Sequence, residues 1–320
     1  MALPVIRFDY DNACRWGVLF DQLIAPLAGD YADTGELLRR ALPELRRLSR
    51  SQAMLRLDEV ALMSPITTNQ QFICQGVNYA SHVRESGMDP SRITFNTIFT
   101  KASSSLTGAN ANVVRPSHVR LLDYEIELGI VMGRDITRAE TVARDRLHEY
   151  LAGVTIVNDI SARDVQHTQA QFYKGKSYRS FGPTGPVLLL LDAAEWQRWP
   201  QLHMRLGVNG TARQDTYCSD MIYAPHQTLT ELSGLQDLNA GDLIATGTPG
   251  GCAARAPGKL VYFVMRRFMS DATKWKHFIQ KGQSNPLYLR PGDEVSASIR
   301  TDDGALDLGE QHNRVVGESI

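Results

Sequence analysis

Two glutamates stand two residues apart in the segment LLDYEIELGIVMG, residues 121–133. Apolar residues alternate with Glu125 and Glu127, as in a β-strand, where residues two apart project from the same face. Two carboxylates that close repel each other, which raises one pKa unless a cation lies between them. A hard divalent ion such as Mg²⁺ or Mn²⁺ meets this need, because it prefers oxygen ligands. The alternative is an amphipathic edge strand whose glutamates are solvated.

A third carboxylate, Asp159, follows the apolar residues 154–157 in GVTIVNDISARDVQ. Strand ends commonly present functional groups, and three carboxylates leave half of an octahedral shell for water and substrate. An aspartate at a strand end is also a common helix N-cap, so Asp159 indicates a metal site only in combination with the two glutamates.

His82 and Glu85 lie in GVNYASHVRESG, at a spacing that places them side by side on a helical turn. A carboxylate that holds one imidazole nitrogen leaves the other nitrogen basic, and such a pair can activate water. The alternative is a surface ion pair.

A lysine and two threonines complete the candidate set. Lys176 lies in FYKGKSYRSFGPTGP, a loop rich in glycine and proline, where its ammonium could stabilise an oxyanion or enolate. Lys174 competes for this role, and either lysine could simply be solvated. Thr246 and Thr248 lie in GDLIATGTPGG, where hydroxyls and backbone N–H groups could bind a substrate carboxylate or merely form a β-turn.

The elements that must position these residues fall into two units. Residues 1–70 predict a small N-terminal domain with strands at 4–8 and 16–20. A helix then opens on the capping box of Asp33 and Glu36, and Pro43 is expected to kink or divide it.

Residues 71–320 predict a larger domain that is mainly β, which makes the chain an α+β protein. One helix is expected from the capping box of Thr137 and Glu140 to a stop at Gly153. Asn209-Gly210 predicts a hairpin turn, and alternating apolar residues predict a strand over 295–299.

Composition narrows the function classes. The chain has 320 residues, 43% hydrophobic and 22% charged, and a formal net charge of -1, which gives no overall attraction for nucleic acid or an anionic membrane. No apolar run reaches the roughly 20 residues of a membrane span, and the first residues do not resemble a signal peptide. The four cysteines form no CxxC pair, which is typical of a cytoplasmic protein.

Taken in order, the motifs resemble the fumarylacetoacetate hydrolase superfamily over nearly the whole chain. They are GVNYASH from Gly76, EIE from Glu125, NDISARDVQ from Asn158, GKSYRSFGPTGP from Gly175, GDLIATGTPGG from Gly241 and PGDEV from Pro291. The resemblance implies a mixed β-sandwich roll as the catalytic domain, a small α/β N-terminal domain, and a homodimer.

The resemblance also implies a metal centre. Glu125, Glu127 and Asp159 match the family's ligands for Mg²⁺, or for Mn²⁺ or Ca²⁺ in its place. Lys176 matches a motif lysine near the metal.

Further positions match the family's catalytic and substrate-binding residues. His82 and Glu85 match its water-activating pair, and Gln166 and Thr248 match positions that contact substrate or metal-bound water. The family's KSFD is KSYR in this chain, so Arg179 replaces an acidic residue and is expected to favour a more anionic substrate.

The implied activity is metal-dependent hydrolysis of a carbon–carbon bond in a β-diketo acid, such as an acylpyruvate or fumarylpyruvate, in the catabolism of aromatic or related compounds. His82 and Glu85 favour this reaction over the decarboxylase, hydratase and isomerase reactions of the same superfamily. The alternative from another class is a metabolite-binding homologue without turnover, against which His82, Glu85 and Lys176 argue.

A long segment over residues 253–288 departs from the family pattern. It mixes aromatic and basic side chains: Phe263, Phe268, Trp275, Phe278, Lys259, Arg266, Arg267, Lys274 and Lys276. Core or dimer packing is the favoured interpretation, and a lid or substrate-specificity element is the alternative. Nucleic-acid binding has little support without a basic domain around the segment.

Overall fold

Strands outnumber helices in this fold. A computed structural model describes residues 2–169, 171–255 and 270–318 of the chain. Its strands are β1 Leu3–Tyr10, β2 Ala13–Phe20, β3 Leu23–Pro26, β4 Leu55–Arg56, β5 Ala61–Met63, β6 Phe72–Gly76, β7 Thr97–Lys101, β8 Leu106–Thr107, β9 Val113–Arg115, β10 Leu122–Asp123, β11 Ile126–Met132, β12 Leu151–Asn158, β13 Ser161–Ala162, β14 Gly182–Pro183, β15 Leu188–Leu190, β16 His203–Val208, β17 Thr211–Tyr217, β18 Leu243–Ala245, β19 Glu294–Arg300 and β20 Asp307–Gly317.

The helices are short. The α-helices are α1 Thr34–Arg40, α2 Leu42–Leu45, α3 Ala80–Glu85, α4 Arg163–Gln166, α5 Tyr173–Lys176, α6 Ala193–Trp196, α7 Pro225–Ser233 and α8 Asp271–Gln283. The 3₁₀ helices are Arg50–Gln52, Leu57–Glu59, Pro90–Arg92, Ser103–Ser105, Arg144–Glu149, Trp199–Gln201 and Cys218–Asp220. Within the described ranges, no helix has both the length and the apolar character that crossing a membrane requires.

A large sheet carries the candidate site. Among the described residues it has 11 strands, in the order β4-β3-β2-β1-β15-β12-β11-β18-β6-β7, with β5 paired to β1. Strand β11 lies in the interior of this sheet, antiparallel to both β12 and β18, and every residue of it is buried. The interpretation of this segment as a solvated edge strand is therefore wrong.

A second sheet, in the order β17-β16-β19-β20-β9, covers one face of the first. Alternate residues of β19, such as Val295 and Ile299, join Ile126 and Leu128 in one core cluster. Val131 of β11 points the other way, into a separate cluster with Leu37 of α1. The period of two in these strands thus divides each strand between two cores.

The predicted hairpin turn and the predicted helix N-cap both form as their local sequences indicate. Asn209 and Gly210 adopt φ of 52° and 75° in the two-residue turn between β16 and β17, and only residues that tolerate positive φ suit that turn. The carboxylate of Asp33 accepts a hydrogen bond from the Glu36 N–H at 2.7 Å. Helix α1 ends at Arg40 and α2 contains Pro43, so the hairpin, the cap and the division of the helix are confirmed.

The N-terminal strands join the large sheet directly. Leu3, Pro4 and Val5 of β1 pair antiparallel with residues 188–190 of β15. The division of the chain into two domains at residue 70 stays a prediction.

The helix predicted over residues 137–151 is wrong. Only a 3₁₀ helix, Arg144–Glu149, occurs there, and β12 begins at Leu151. Instead of capping a helix, the Glu140 carboxylate pairs with Arg134 at 2.9 Å, and the Glu140 N–H donates to the Ser233 hydroxyl of α7. Tertiary contacts outside the segment therefore satisfy the groups on which the capping pattern depended.

Gly153 does not end a helix, as predicted, but allows two strands to pack closely. It lies within β12, and a Cβ at this position would come within 2.1 Å of the Leu189 carbonyl oxygen in the neighbouring strand β15. Glycine permits this close approach of two backbones.

The C-terminal half of the long segment packs on the core beside the large sheet. Phe278 of α8 packs against the main core cluster, and Gly282 lies against Leu121. Tyr288 and Leu289 are buried. Packing is thus the observed role of this half, while Phe263, Phe268, Lys259, Arg266, Arg267 and the side chain of Lys274 lie outside the described residues.

We predict that Gly153→Ala lowers the free energy of unfolding by about 1–3 kcal/mol, since the added methyl group would force β12 and β15 apart. Chemical denaturation measures this change. Gly234→Ala is the matched control, because Gly234 has a φ of -83° and a Cβ there meets nothing closer than 3.4 Å. Equal effects of the two substitutions would contradict the close approach at Gly153.

Candidate metal centre and active site

Strand register brings the three candidate carboxylates together. Glu125 precedes β11, and its carbonyl oxygen accepts a hydrogen bond from the Asp159 N–H at 2.8 Å, so the two residues are neighbours across β11 and β12. Glu127 lies two residues further on the same face. One oxygen from each of Glu125, Glu127 and Asp159 lies within 4.8 Å of the others, and all three residues are buried.

Two glycines make room for this arrangement. A Cβ at Gly129 would come within 2.8 Å of Val157 and 2.9 Å of Leu243, so glycine permits close packing on both sides of β11. Gly247 has a φ of +90°, which aims its N–H at the Glu127 Oε2 at 2.8 Å. The glycines of the ELG and TGT motifs therefore shape the carboxylate site.

Two lysines compensate the negative charge of the cluster. The Lys176 ammonium donates to Glu125 Oε2 at 2.6 Å, to Ser161 Oγ at 2.9 Å and to Asp159 Oδ2. All three of its N–H bonds are thus used within the protein. Lys101 donates to the other oxygen of Asp159 at 2.5 Å and to the Phe181 carbonyl oxygen at 2.6 Å.

A buried arginine completes the charge balance. Arg163 of α4 donates to Glu125 Oε1, to Asp123 Oδ2 at 2.8 Å and to Gln166 Oε1 at 2.9 Å. Its planar guanidinium therefore bridges two buried carboxylates, a role that the point charge of a lysine fills poorly. Asp159 is held by two ammonium groups and caps no helix, so the N-cap alternative is wrong.

The environment drives the pKa values of the two glutamates apart. Burial would raise the pKa of Glu125, but the charges of Arg163 and Lys176 outweigh it and lower this pKa to about 2. Burial raises the pKa of Glu127 well above its usual range, and the nearby charges of Asp159 and Glu125 raise it further. The charge of Lys176 and the Gly247 N–H lower the pKa of Glu127 but do not outweigh these effects.

The residues present fit a divalent ion. The three groups are carboxylates, which hard ions such as Mg²⁺ prefer, and their oxygens lie close enough to share one ligand. Each carboxylate oxygen that binds a lysine or Arg163 retains a second lone pair. A cation would also relieve the repulsion that raises the pKa of Glu127.

His82 and Glu85 both lie on α3, as predicted, but no hydrogen bond joins them. The Glu85 carboxylate is exposed and accepts the Gly251 N–H at 2.7 Å. The Nδ1 of His82 is buried and has no hydrogen-bond partner among the described residues. Burial lowers the pKa of His82, while the charges of Glu125 and Arg163 act on it in opposite directions.

Strained backbone holds the start of α3 in place. Val77 has a φ of 56°, which β-branched residues rarely adopt. The next residue, Asn78, donates to the Thr246 carbonyl oxygen at 2.8 Å and accepts from the Tyr223 N–H at 2.8 Å. These bonds connect the GVNY and TGT motifs and thereby place His82 near the carboxylates.

The three residues predicted to contact substrate differ in burial and in their hydrogen-bond partners. Gln166 is buried, with its carbonyl oxygen held by Arg163. The hydroxyl of Thr248 is buried and donates to the Ile126 carbonyl oxygen at 3.0 Å, beside the ligand strand. Arg179 is exposed in a turn and makes no ion pair with any described residue. The substrate roles of these residues stay predictions.

The two neighbouring lysines differ in burial, and the catalytic role of Lys176 stays a prediction. Lys176 is buried at the end of α5, a single helical turn in place of the expected loop, whereas Lys174 is exposed.

Sequence reasoning missed Lys101, Asp123, Arg163 and His167 as members of the site. Arg163 stands inside the motif NDISARDVQ, which could have revealed it, but Lys101 lies 58 residues before its partner Asp159 with no motif to connect them. Burial and the charge of Arg163 lower the pKa of His167 to about 4, and its ring packs edge-to-face against Phe278 of α8 at 5.2 Å.

A mainly β fold that encloses a carboxylate triad and its counter-charges defines the class of protein. Residues 71–316 match the family described as fumarylacetoacetate hydrolase, C-terminal. The chain belongs to the fumarylacetoacetate hydrolase superfamily.

Relatives within the superfamily have different names. The chain is 34% identical over 250 residues to oxaloacetate tautomerase YisK of Bacillus subtilis, covering 77% of this chain and 72% of that protein. A probable 2-hydroxyhepta-2,4-diene-1,7-dioate isomerase from Mycobacterium abscessus is similar with a TM-score of 0.71 and 30% identity, over 100% of both chains. Fumarylacetoacetate hydrolase from Exiguobacterium antarcticum is similar with a TM-score of 0.74 and 29% identity, over 99% of this chain and 100% of that one.

We predict that Lys176→Met lowers the free energy of unfolding of the metal-free protein by about 3–5 kcal/mol, because Glu125 and Asp159 would lose a buried counter-charge. Lys174→Met is the control and should change stability by less than about 0.5 kcal/mol, since this side chain is exposed. Urea denaturation measures both, and an equally small effect of the two substitutions would contradict the compensating role of Lys176.

A second prediction concerns pH. A carboxyl whose pKa is higher in the folded than in the unfolded state stabilises the fold at low pH, and this contribution is lost as pH rises through the folded pKa. The thermal midpoint of the metal-free protein should therefore contain a component that falls above the usual glutamate pKa of 4.5, and Glu127→Gln should remove it.

Glu125 acts in the opposite sense and only below pH 4.5, because its folded pKa is about 2. The lowered pKa of His82 is common to the wild type and Glu127→Gln. Its contribution therefore cancels when the thermal midpoints of these two proteins are subtracted. Glu85→Gln, at an exposed site, is the control for the same chemical change and should retain the dependence. If Glu127→Gln also retains it, the raised pKa is wrong.

Proposed function

We propose that the chain is a Mg²⁺-dependent enzyme that forms the enolate of a 2-oxo acid, and that its reaction is the keto–enol tautomerisation of an oxaloacetate-like dicarboxylate. The observation that carries the proposal is a buried carboxylate triad beside an imidazole to which no carboxylate of the described residues forms a hydrogen bond. Such a site offers a cation position and a single base, which is what proton transfer next to a carbonyl group requires.

His82 is the proposed base. Its lowered pKa keeps the imidazole neutral at neutral pH, so one ring nitrogen can accept a proton. In the reaction the C3–H bond breaks and the proton passes to this imidazole. The electron pair forms the C2–C3 double bond and negative charge moves to the C2 oxygen. Transfer of the proton from the imidazolium to that oxygen gives the enol and returns His82 to its neutral form. The reverse sequence returns the keto form.

The bound divalent ion would supply Lewis-acid stabilisation of the negative charge on the substrate oxygen. Lys176 contributes to this through its charge, because its three N–H bonds are already held by Glu125, Asp159 and Ser161. A direct hydrogen bond from Lys176 to substrate would require one of these to open.

Gln166 is the proposed donor to a substrate carboxylate. Arg163 binds its carbonyl oxygen, which fixes the orientation of the amide. The amide nitrogen then makes no hydrogen bond to the described residues and remains able to donate.

Carbon–carbon bond hydrolysis is the second candidate. The Nδ1 of His82, which has no hydrogen-bond partner among the described residues, favours this reaction. If the Glu85 side chain were released from Gly251, it would supply that partner and complete a water-activating pair. The first candidate is preferred because Glu85 is bound elsewhere, and because a relative that is 34% identical is named an oxaloacetate tautomerase.

The deciding experiment follows the enol absorbance of oxaloacetate with the protein, first in EDTA and then with added Mg²⁺. We expect metal-dependent acceleration of tautomerisation without release of pyruvate. His82→Gln should slow it by roughly 100-fold, as expected for loss of a general base. Glu85→Gln should change the rate far less, since no hydrogen bond joins Glu85 to His82.

Acetylpyruvate and fumarylpyruvate provide the opposing test. Cleavage of either to pyruvate, lost in both His82→Gln and Glu85→Gln, would replace the proposal with the hydrolase. Release of pyruvate from oxaloacetate itself would instead indicate a decarboxylase.

A further inference from the structure

A cavity that the carboxylate triad does not line has the character of an anion site. Its volume is about 380 Å³, and it is lined by Arg115, Arg120, Gly282, Gln283, Asn285, Tyr288, Leu289, Arg290 and Pro291. None of the proposed metal ligands, catalytic residues or substrate contacts lines it. Its volume is within the roughly 300–1,000 Å³ of small-molecule sites.

Three arginines converge on this cavity from separate parts of the chain. Arg115 ends β9, Arg120 follows in the next loop, and Arg290 lies after α8. None of the three forms an ion pair with an acidic group in the part of the chain that the structure describes. Arginines on other surfaces do, as with Arg56 and Asp58.

The nearby carboxylates are engaged with the backbone. Asp164 accepts the N–H groups of Arg120 and Leu121 at 2.8 and 3.3 Å. Asp293 accepts the N–H of Arg290 at 2.7 Å. Both carboxylates keep their negative charge, but neither forms an ion pair with Arg115, Arg120 or Arg290, and these three arginines line one concave surface of a chain whose net charge is -1.

The walls of the cavity are held by buried contacts. The Arg115 Nε donates to the Val119 carbonyl oxygen at 2.7 Å, which leaves its two terminal nitrogens without a partner in the described ranges. The Leu289 N–H donates to the Leu122 carbonyl oxygen at 2.8 Å, and Tyr288 is only 5% exposed. A ligand would meet one arginine, Arg115, that is already positioned, which reduces the entropy lost on binding.

We propose that this cavity binds a small multivalent anion, either a phosphate-bearing or a polycarboxylate metabolite. Arginine forks match the oxygens of both groups, and each pairing is a charge-assisted hydrogen bond. Gln283 and Asn285 add neutral hydrogen-bonding groups to the lining. Gln283, Asn285 and Tyr288 belong to the long segment that departs from the family pattern, so this segment contributes to the lining, whereas the three arginines lie outside it.

Isothermal titration calorimetry of the metal-free protein tests the proposal, with pyrophosphate and tricarballylate as separate probes. We expect saturable binding of at least one probe. Arg120→Gln and Arg290→Gln should each weaken it by roughly tenfold, as expected for loss of a charge-assisted hydrogen bond. Because Arg120 and Arg290 are exposed, the two variants should have the same thermal midpoint as the wild type in the absence of ligand.

Arg47→Gln is the matched control, since Arg47 is an exposed arginine of the N-terminal unit and its loss changes the net charge equally. It should leave binding unchanged. The relative affinity for the two probes identifies the ligand as a phosphate or a polycarboxylate. Absence of saturable binding, or equal binding by the wild type, Arg120→Gln and Arg290→Gln, would overturn the proposal. Neither substrate nor metal is present, so this result does not depend on the proposed activity.

Discussion

Carboxylates enclosed in an apolar interior stay ionised only beside positive charge, and much of this fold serves that constraint. Glu127 lies on the interior strand β11, and Glu125 and Asp159 lie at the ends of β11 and β12, all three away from water. The compensating cations come from three other elements: Lys101 from the edge strand β7, Arg163 from α4 and Lys176 from α5. These short elements therefore bring positive charge to the carboxylates. The four-residue helices α4 and α5 need little helical stability of their own, because tertiary contacts hold them.

The negative half of the site could be predicted from the sequence. A period of two places Glu125 and Glu127 on one face, and the end of an apolar strand presents Asp159. The hairpin at Asn209-Gly210 was predictable for the same reason, because the conformation depends on neighbouring residues alone.

Of the positive half, Lys176 could be named as a candidate from its own segment, but Lys101 could not be predicted in this way. Lys101 meets Asp159 only after β7, β6, β18, β11 and β12 have aligned, and nothing in its own segment encodes that order. The failed helix over residues 137–151 has the same origin, since Ser233 and Arg134 satisfy Glu140 from outside the segment. Helix α7, with Pro225 at its first turn, was likewise missed, because flanking strand signals dominate that region.

The three hydrogen bonds of Lys176 have a consequence for how the protein matures. A metalloprotein whose ligands repel one another folds only when the ion arrives, as small zinc domains do. Here Lys176 pairs with two of the candidate ligands, Lys101 and Arg163 supply further positive charge, and the pKa of the third carboxyl, Glu127, is raised. The polypeptide can therefore fold before an ion binds, and metal loading would be a separate step governed by the cellular metal supply.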